Sequence, residues 1–351
     1  MGNMEMLDKI DFKKADPAGM IDNIRGFINS AKDALEISSR FSIPSYFIKA
    51  KKVVLAGMGG SGAADDVVCE LLKNKPDLIV ESIHDYSLPV WANNETLVVV
   101  NSYSGNTEES LSCFLEAVNR GAKIVCITTG GKLKVLAEKY KVPVIEFEFK
   151  GAPRASFPYL FILLLMIFVK LGHLAIEMND FESLFASLTE LEKKYGPEVS
   201  LFSNPAKIMA EKIHGTVPII YCSEKLKGAA LRFKNQINEN GKNFSFVEVF
   251  PELNHNSIEG YAKPNEFCTI VMLESNFDRD RISLRQNLTA EIVRKNKIPL
   301  ERVKFVNSKD QLSEVLAFVL FGDFVSYYLA ILNKANPGTN DTIDYLKSKM
   351  A

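Results

Sequence analysis

Short apolar runs alternate repeatedly with helix-like segments along this chain. Five such runs occupy the first half, at residues 52–56, 78–83, 96–101, 123–128 and 142–147. Their apolar residues mostly follow one another directly, which is typical of strands covered on both faces of a parallel sheet. The segment after the first run, from Ala63 to Leu72, spaces its apolar residues as a helix does. The pattern therefore predicts an α/β fold built on a doubly wound, mainly parallel sheet.

The same alternation begins again after an apolar segment at 156–172, which we interpret as a buried helix. The sequence then predicts strands at 217–222, 246–249, 269–273 and 303–306, and helices at 224–238, 281–295 and 310–332. A strand followed by a Gly-Ala-Ala segment occurs in both halves, which suggests an internal duplication. We therefore expect two doubly wound domains. Their predicted bounds are 1–155, with two amphipathic helices between about 17 and 40 outside the sheet, and 156–335, followed by a C-terminal tail at 336–351.

Composition and charge exclude several classes of function. Forty-two basic and 43 acidic residues leave a net charge of −1, so the chain has no overall basic field for nucleic acid. The longest apolar run, Phe157–Val169, is shorter than the ~20 residues of a membrane-spanning helix, and the polar segment 1–16 has no signal-peptide core. We expect a cytoplasmic protein that binds neither nucleic acid nor membrane.

Cysteines and other metal-binding residue types are scattered along the chain. The five cysteines form no Cys-x-x-Cys pair and lie mostly in apolar runs, as reduced thiols of a cytosolic core do; they are Cys69, Cys113, Cys126, Cys222 and Cys268. His, Cys and carboxylate residues show no metal-ligand spacing. The sequence therefore predicts no metal and no other cofactor.

A glycine cluster, Gly57-Met-Gly-Gly-Ser-Gly62, follows the first predicted strand and opens the first helix. It matches the G-x-G-x-x-G pattern of dinucleotide-binding folds, and Asp85, near the end of the second strand, is a candidate partner for a cofactor ribose. The alternative is a phosphate cradle, whose candidate residues are Gly59, Gly60 and Ser61. The glycine cluster by itself leaves both interpretations open.

A second turn, Ser102-Tyr-Ser-Gly-Asn-Thr107, follows the third predicted strand. The hydroxyl groups of Ser102, Ser104 and Thr107 and the N–H groups of the next helix point to one place, and Gly105 allows close backbone approach. Many donors without a fixed cation suit a phosphomonoester dianion. Helix capping explains one or two of these hydroxyls, but not three beside a glycine. Neither turn carries a Gly-Lys-Ser/Thr motif, which disfavours nucleoside triphosphate chemistry.

Together the two turns resemble those of the sugar isomerase (SIS) fold, whose members bind phosphosugars. Further segments resemble the bifunctional phosphoglucose/phosphomannose isomerases; they are 152–155, 234–240, 251–260, Asn336-Pro337 and Ile343-Asp344-x-x-Lys347. The resemblance implies two SIS-type domains. It also implies a metal-independent enzyme that interconverts glucose 6-phosphate, and mannose 6-phosphate as well, with fructose 6-phosphate through a cis-enediol.

The resemblance also assigns catalytic roles. Glu239 would move the proton between C2 and C1, and His255 would open the sugar ring as an acid and base. Arg154, just after the fifth strand, would face the enediolate and stabilise its developing charge. Lys347 would reach the active site on a C-terminal tail that folds back over it. In relatives the histidine comes from the partner subunit, so the resemblance implies a homodimer with shared active sites.

Substrate range and function class have alternatives. Relatives that accept mannose 6-phosphate carry a threonine near the start of the C-terminal segment, where this chain has Asn340, with Thr339 beside it and Thr342 two residues further on. The alternative functions are a non-catalytic phosphosugar sensor and an isomerase of another phosphosugar. Sensors of this fold usually carry a helix-turn-helix segment, whereas about 50 residues without a basic surplus precede the first strand here.

Overall fold

The structure, a computed structural model, describes residues 6–48, 50–263 and 267–350. The first five residues of the predicted N-terminal domain and the last residue of the predicted tail lie outside this part of the chain. The strands are β1 (Lys52–Gly57), β2 (Ile79–Ile83), β3 (Leu97–Asn101), β4 (Lys123–Thr128), β5 (Val144–Glu146), β6 (Val217–Ser223), β7 (Phe246–Phe250), β8 (Cys268–Glu274) and β9 (Leu300–Lys304).

The α-helices are α1 (Met6–Lys9), α2 (Phe12–Ala15), α3 (Met20–Arg25), α4 (Phe27–Arg40), α5 (Gly59–Leu72), α6 (Glu108–Asn119), α7 (Gly131–Tyr140), α8 (Phe157–Lys170), α9 (Met178–Tyr195), α10 (Pro205–Ile213), α11 (Lys227–Glu239), α12 (Asp280–Lys295), α13 (Gln311–Leu332) and α14 (Asp341–Met350). Short 3₁₀ helices lie at Ser45–Phe47, Pro153–Ser156, Leu201–Ser203, Glu224–Leu226, Glu252–His255 and Ser257–Ala262.

Two compact units make up the chain: a first unit of residues 26–186, and a second unit that combines residues 1–25 with 187–351. This division differs from the predicted domains, whose boundary at 155/156 falls inside the first unit. The helix that follows that boundary, α8, packs against α4 and α5, and the ring centroids of Phe27 and Phe157 are 6.3 Å apart. Because α8 is apolar on almost every side, it completes the core of the first unit instead of beginning the next.

The first unit contains a five-stranded parallel sheet in the order β2-β1-β3-β4-β5. The five predicted strands and the doubly wound fold are confirmed. The strand order reverses at β1, and Gly57 at the end of β1 pairs in register with Asn101 at the end of β3. Open α/β sheets bind their ligands at such a switch point, beyond the carboxyl ends of the strands. The glycine cluster and the second turn therefore leave the sheet side by side.

The second unit contains a four-stranded parallel sheet in the order β7-β6-β8-β9. The first four strands of the first sheet have the same order, as expected for an internal duplication. The strand predicted at 303–306 begins earlier, as β9, and ends at Lys304. β9 lies at the edge of the sheet, and Phe305 directly after it packs on Phe318 and Phe321 of α13. Part of the apolar run at 303–306 therefore lies outside the strand, where Phe305 packs against α13.

α13 is the central helix of the second unit, and every residue from Glu314 to Leu332 is buried. α13 and the segment Pro153–Lys170 are both long and apolar enough to cross a bilayer by length and composition. Their apolar windows are 100% and 72% buried inside the protein. Both helices are apolar because each of them lies in the hydrophobic core of its own unit.

Buried polar side chains join α11 to α13. Asp323 accepts hydrogen bonds from Arg232 at 2.8 Å and from Gln236 at 2.9 Å, and Asn240 donates to Ser326 at 3.0 Å. Arg232, Gln236 and Asn240 are spaced four residues apart, so they share one side of the helix. Buried polar groups are costly when their partners are displaced, and these pairs therefore fix the register of α11 on α13.

The carboxyl edge of the second sheet holds an internal carboxylate. Glu314 accepts hydrogen bonds from the Ser275 hydroxyl and from the backbone and side-chain nitrogens of Asn276, both at 2.7 Å. Ser275 and Asn276 directly follow β8, the strand that corresponds in sheet order to β3. Burial raises the pKa of Glu314. The donors of this turn are thus already occupied by a side chain of the same unit.

The beginning of the chain is built into the second unit. Lys207 is buried, and its ammonium group binds Asp8 at 2.8 Å and the carbonyl of Pro197 at 2.9 Å. The Phe12 ring centroid lies 6.1 Å from that of Tyr327 on α13. These contacts attach the N-terminal helices to a core that is otherwise made of residues after 187.

Replacing Asp323 by alanine should lower the free energy of unfolding by about 3–5 kcal/mol, because the change removes the carboxylate that faces the buried Arg232 guanidinium. Urea denaturation followed by circular dichroism measures this loss. The matched control is Glu301→Ala, which breaks a partly exposed ion pair with Lys212 at 2.6 Å and should cost less than about 1 kcal/mol. Equal losses in the two variants would contradict a stabilising role for the buried pair.

Candidate active site

The glycine cluster forms the turn between β1 and α5, with α5 beginning at Gly59. Gly59 has a φ of +55°, in the left-handed region that favours glycine. A Cβ atom on Gly60 would lie 3.2 Å from the carbonyl oxygen of Pro153 and 3.2 Å from the Cα of Arg154. Glycine at this position therefore lets the start of α5, with its exposed N–H groups, lie directly against the segment that carries Arg154.

The second turn is hydrogen-bonded to the glycine turn. The hydroxyl of Ser61 accepts a hydrogen bond from the backbone N–H of Tyr103 at 3.2 Å. The hydroxyl of Ser102 donates to that of Thr107 at 3.3 Å, and the hydroxyl of Ser104 accepts a backbone N–H two residues further on at 3.2 Å. The six predicted phosphate-binding residues, which also include Gly59 and Gly60, thus lie on two neighbouring turns at one edge of the first sheet.

The sequence predicts that Gly105 allows close backbone approach at the phosphate-binding turn, whereas the structure shows a close approach to the backbone of Gly130. The φ of Gly105 is +63°, and a Cβ atom there would lie 1.9 Å from the carbonyl oxygen of Gly130. The turn after β4 therefore packs directly on the second turn, and the N–H of Leu133 donates to the Gly105 carbonyl at 2.8 Å. Glycine at 105 serves this backbone packing.

Arg154 is held in the interior of the first unit. It lies in the 3₁₀ helix Pro153–Ser156 after β5, and only 2% of its surface is exposed. The Ser156 hydroxyl donates to the Pro153 carbonyl at 2.7 Å and closes this helical turn. An arginine after a strand is ordinarily exposed. Its burial beside Gly60 fixes its position relative to the glycine turn.

Glu239 is the last residue of α11 and is half-buried. The ammonium group of Lys242 donates to the carbonyl oxygen of Glu239 at 2.5 Å and to that of Thr339 at 2.6 Å. The start of the C-terminal segment therefore lies against the end of α11. Among the three candidates for the family threonine position, this bridge places Thr339 beside Glu239. Asn340 follows it half-buried, and Thr342 is exposed on α14.

His255 and Lys347 lie at the surface of the second unit. His255 ends the 3₁₀ helix Glu252–His255 and is exposed. Its neighbours are fixed: Asn254 donates to Thr289 at 2.8 Å, and Asn256 donates to Glu252 at 2.9 Å. Lys347 is exposed on α14, a helix without buried residues. The structure thus groups Arg154 with the phosphate-binding residues and Glu239 with Thr339, and it leaves His255 and Lys347 on separate exposed segments.

Sequence reasoning missed a polar group behind the glycine turn. Asp65 is fully buried and accepts a hydrogen bond from the side-chain amide of Asn101 at 3.0 Å. Burial raises the pKa of Asp65 to about 8. The ring of His84 lies 2.7 Å from the Gly57 carbonyl oxygen and 2.9 Å from Asp66, and the hydrogen bond to Asp66 raises the pKa of His84 to about 9. The available signals were two adjacent aspartates in an apolar helix and a histidine directly after a strand.

Other expectations concern cofactors and thiols. The carboxylate of Asp85, the candidate ribose partner, accepts the backbone N–H of Tyr86 at 2.6 Å. Within residues 6–48, 50–263 and 267–350, no group of three or more His, Cys, Asp or Glu side chains is placed to hold a metal ion. The five cysteines are free thiols, and four of them are buried.

Comparison with known proteins decides the family. The family model described as the bacterial phospho-glucose isomerase C-terminal SIS domain matches residues 202–350. A bifunctional phosphoglucose/phosphomannose isomerase from Caldicellulosiruptor bescii is 36% identical over 336 residues, which cover 95% of this chain and 99% of the relative. The chain belongs to the bifunctional phosphoglucose/phosphomannose isomerase family. The sequence resemblance is therefore confirmed, and the protein is a sugar phosphate isomerase.

Two further comparisons add context for this family member. A D-glucosamine-6-phosphate 4-epimerase from Sulfolobus acidocaldarius is 35% identical over 247 residues, covering 70% of this chain and 74% of the relative. The crystal structure of a hypothetical protein from Thermus thermophilus matches 99% of this chain and 93% of its own, with a TM-score of 0.74 and 13% identity. The first shows that a similar sequence carries a different reaction on a phosphosugar, and the second shows the shared fold.

The buried Asp65 predicts a pH dependence of stability. Because its pKa in the folded protein is raised above that of an unfolded aspartate, Asp65 contributes stability at low pH that is lost as the pH rises from about 4 to about 8. Asp65→Asn removes this loss. Between pH 5 and 8 the free energy of unfolding of the wild type should fall relative to the variant, by about 4 kcal/mol at most. Urea denaturation at several pH values measures the difference, with Glu81→Gln on β2 as the control. Parallel curves for wild type and Asp65→Asn would contradict the buried neutral acid.

Proposed function

We propose that this enzyme interconverts glucose 6-phosphate and fructose 6-phosphate, and also mannose 6-phosphate and fructose 6-phosphate. The observation that carries the proposal is the pair of neighbouring turns at the switch point of the first sheet. Their hydroxyl groups and helix N–H groups face one edge without a lysine or arginine in either turn. Such a set of donors fits the phosphate group of a sugar phosphate.

In the proposed mechanism, Glu239 removes the proton from C2 of the aldose and returns it to C1, while the proton of the C2 hydroxyl moves to O1, and the ketose forms through a cis-enediol. Arg154 stabilises the negative charge of the enediolate, and its burial supports this role because a buried guanidinium has a fixed direction and little competing water. His255 opens the ring by protonating the ring oxygen and removing the proton of the C1 hydroxyl. Lys347, on the exposed helix α14, is assigned to the active site by the family resemblance.

The substrate range is proposed to depend on Thr339. The mannose and glucose 6-phosphates differ only in configuration at C2, the carbon from which Glu239 takes its proton. The two hydrogen bonds of Lys242 join the main-chain carbonyls of Thr339 and Glu239, which brings the backbone at Thr339 to the end of the helix that carries Glu239. We therefore propose Thr339 as the counterpart of the family threonine.

A second candidate is a reaction on another phosphosugar. The 35% identical relative named a D-glucosamine-6-phosphate 4-epimerase is the observation that favours it.

We also propose that the enzyme works in a reducing compartment such as the cytoplasm, since its cysteines are free and mostly buried.

Purified, EDTA-treated protein should convert fructose 6-phosphate to glucose 6-phosphate, detected as NADPH formed by glucose-6-phosphate dehydrogenase. Mannose 6-phosphate should also give NADPH when a separate phosphoglucose isomerase is added.

Glu239→Gln should reduce kcat at least ~100-fold with little change in KM, because it removes the proton-transferring carboxylate. Glu291→Gln, the same change on the exposed surface of α12, is the control. Conversion of glucosamine 6-phosphate alone would favour the second candidate, and wild-type turnover by Glu239→Gln would remove Glu239 from the mechanism.

A homodimer with shared sites predicts complementation. Glu239→Gln and His255→Ala should each be nearly inactive on cyclic substrate. If His255 acts in the partner's site, a mixed dimer of the two variants contains one site with both residues intact, so an equimolar mixture that has been unfolded and refolded together should recover about a quarter of wild-type activity. Light scattering reports the dimer. No recovery in mixtures that contain dimers would contradict sharing of the site between subunits.

A further inference from the structure

His84 contacts both ends of the glycine turn. One ring nitrogen, Nδ1, lies 2.7 Å from the carbonyl oxygen of Gly57, where the turn begins. At the other end, a Cβ atom on Gly62 would lie 2.8 Å from Cε1 of the same ring. The imidazole therefore packs on the backbone of the turn from behind, through a space that only glycine leaves open.

The hydrogen-bond partners of His84 define its charge. Nδ1 faces a carbonyl oxygen, and Nε2 faces the carboxylate of Asp66 at 2.9 Å. Both partners only accept hydrogen bonds, so both ring nitrogens must carry a proton. Ser82, whose hydroxyl lies 3.4 Å from Nε2, can accept as well. The arrangement is thus satisfied by an imidazolium cation, in agreement with the raised pKa of His84.

This cation adds what the two turns lack. Neither the glycine turn nor the second turn contains a lysine or arginine, so their donors are neutral groups. A cation that holds the Gly57 carbonyl also turns this acceptor away from an incoming anion. Forty per cent of the His84 side chain is exposed, and solvent therefore weakens its field without removing its hold on the turn.

We propose that His84, as an imidazolium paired with Asp66, positions the glycine turn for the substrate phosphate and contributes a fixed positive charge to that site. The inference rests on the proposed function, because it takes the glycine turn as the phosphate site. His84 is a positioning residue, since it contacts the backbone of the turn and none of the residues assigned to proton transfer.

Several groups face His84 and bear on its titration. Asp65 and Asp66 lie on α5, Ser82 lies on β2 with its hydroxyl 3.4 Å from Nε2, and Asp85 is the next residue in the chain. Cys69, also on α5, lies close to the two aspartates. Burial raises the pKa of the Cys69 thiol to about 11, so it remains neutral through pH 10. Asp65 and His84 therefore titrate in neighbouring ranges, and a comparison in the Asp65→Asn background separates them.

Steady-state kinetics with fructose 6-phosphate give the first test. His84→Asn keeps a donor near the place of Nδ1 and removes the charge, so KM should rise about tenfold while kcat changes less than threefold. In the wild type KM should rise as the pH passes about 9, and this rise should be absent in His84→Asn. The matched control is His173→Asn. The Nε2 of His173 also contacts a backbone carbonyl, that of Ala50 at 3.2 Å, but Ala50 precedes the first residue of β1, at the end of the strand away from the glycine turn. An unchanged KM in His84→Asn, or a loss confined to kcat, would overturn the inference.

Nitrogen NMR of histidine-labelled protein gives a second test that does not depend on turnover. The chain has four histidines, and the spectrum of His84→Asn assigns the signals of His84. They should report a doubly protonated ring at pH 7.5 and should shift on addition of inorganic phosphate, whereas the His173 signals should not. A neutral ring at pH 7.5, or signals unaffected by phosphate, would overturn the inference.

The two tests also separate the inference from the proposed function. The His84 signals could shift with inorganic phosphate in a protein that converts neither fructose 6-phosphate nor mannose 6-phosphate. That result would reject the proposed substrates and retain the positioning role of His84. Conversion of fructose 6-phosphate without any phosphate response at His84 would retain the enzyme and reject the role.

Discussion

The parallel pairing of β1 with β3 is the constraint on which the proposed phosphate site depends. Because Gly57 and Asn101 end these strands in register, the turns that follow leave the sheet at the same level and share a hydrogen bond through Ser61. The same pairing places Asn101 over Asp65 in the layer below. The two turns at this edge are therefore fixed by backbone geometry and by buried polar contacts.

Much of this arrangement could be predicted from the sequence, because it depends on local patterns. Consecutive apolar residues identified the strands of both sheets, and turn residues predicted six phosphate-binding positions that the structure brings onto two neighbouring turns. The domain boundary could not be located in this way, since an apolar helix such as α8 is compatible with either neighbouring core. The contacts of His84 were equally hidden, because its partners are a backbone carbonyl 27 residues away and an aspartate 18 residues away. Every residue has a backbone carbonyl, so the sequence does not show which carbonyl accepts a side-chain hydrogen bond.

The two sheets share their strand order but differ at the corresponding edge. In the first unit the hydroxyl groups of the turn after β3 bond within that turn, whereas in the second unit the turn after β8 donates to the buried carboxylate of Glu314. A phosphate at the second edge would have to displace that carboxylate and lie against its negative charge. The second unit instead commits its polar contacts to α11 and α13, which fix the end of the helix that carries Glu239.

The discontinuity of the second unit has a consequence for biosynthesis. The first unit is one continuous stretch and can complete its core once residue 186 has left the ribosome. The segment with Asp8 and Phe12 is made earlier, yet its partners Lys207 and Tyr327 emerge far later. At ~5–20 residues per second, a separation of roughly 300 residues corresponds to on the order of 15–60 s of translation. During that interval the segment with Asp8 and Phe12 is without its docking site, and the second unit is completed only when this earlier-made segment binds to the later-made core.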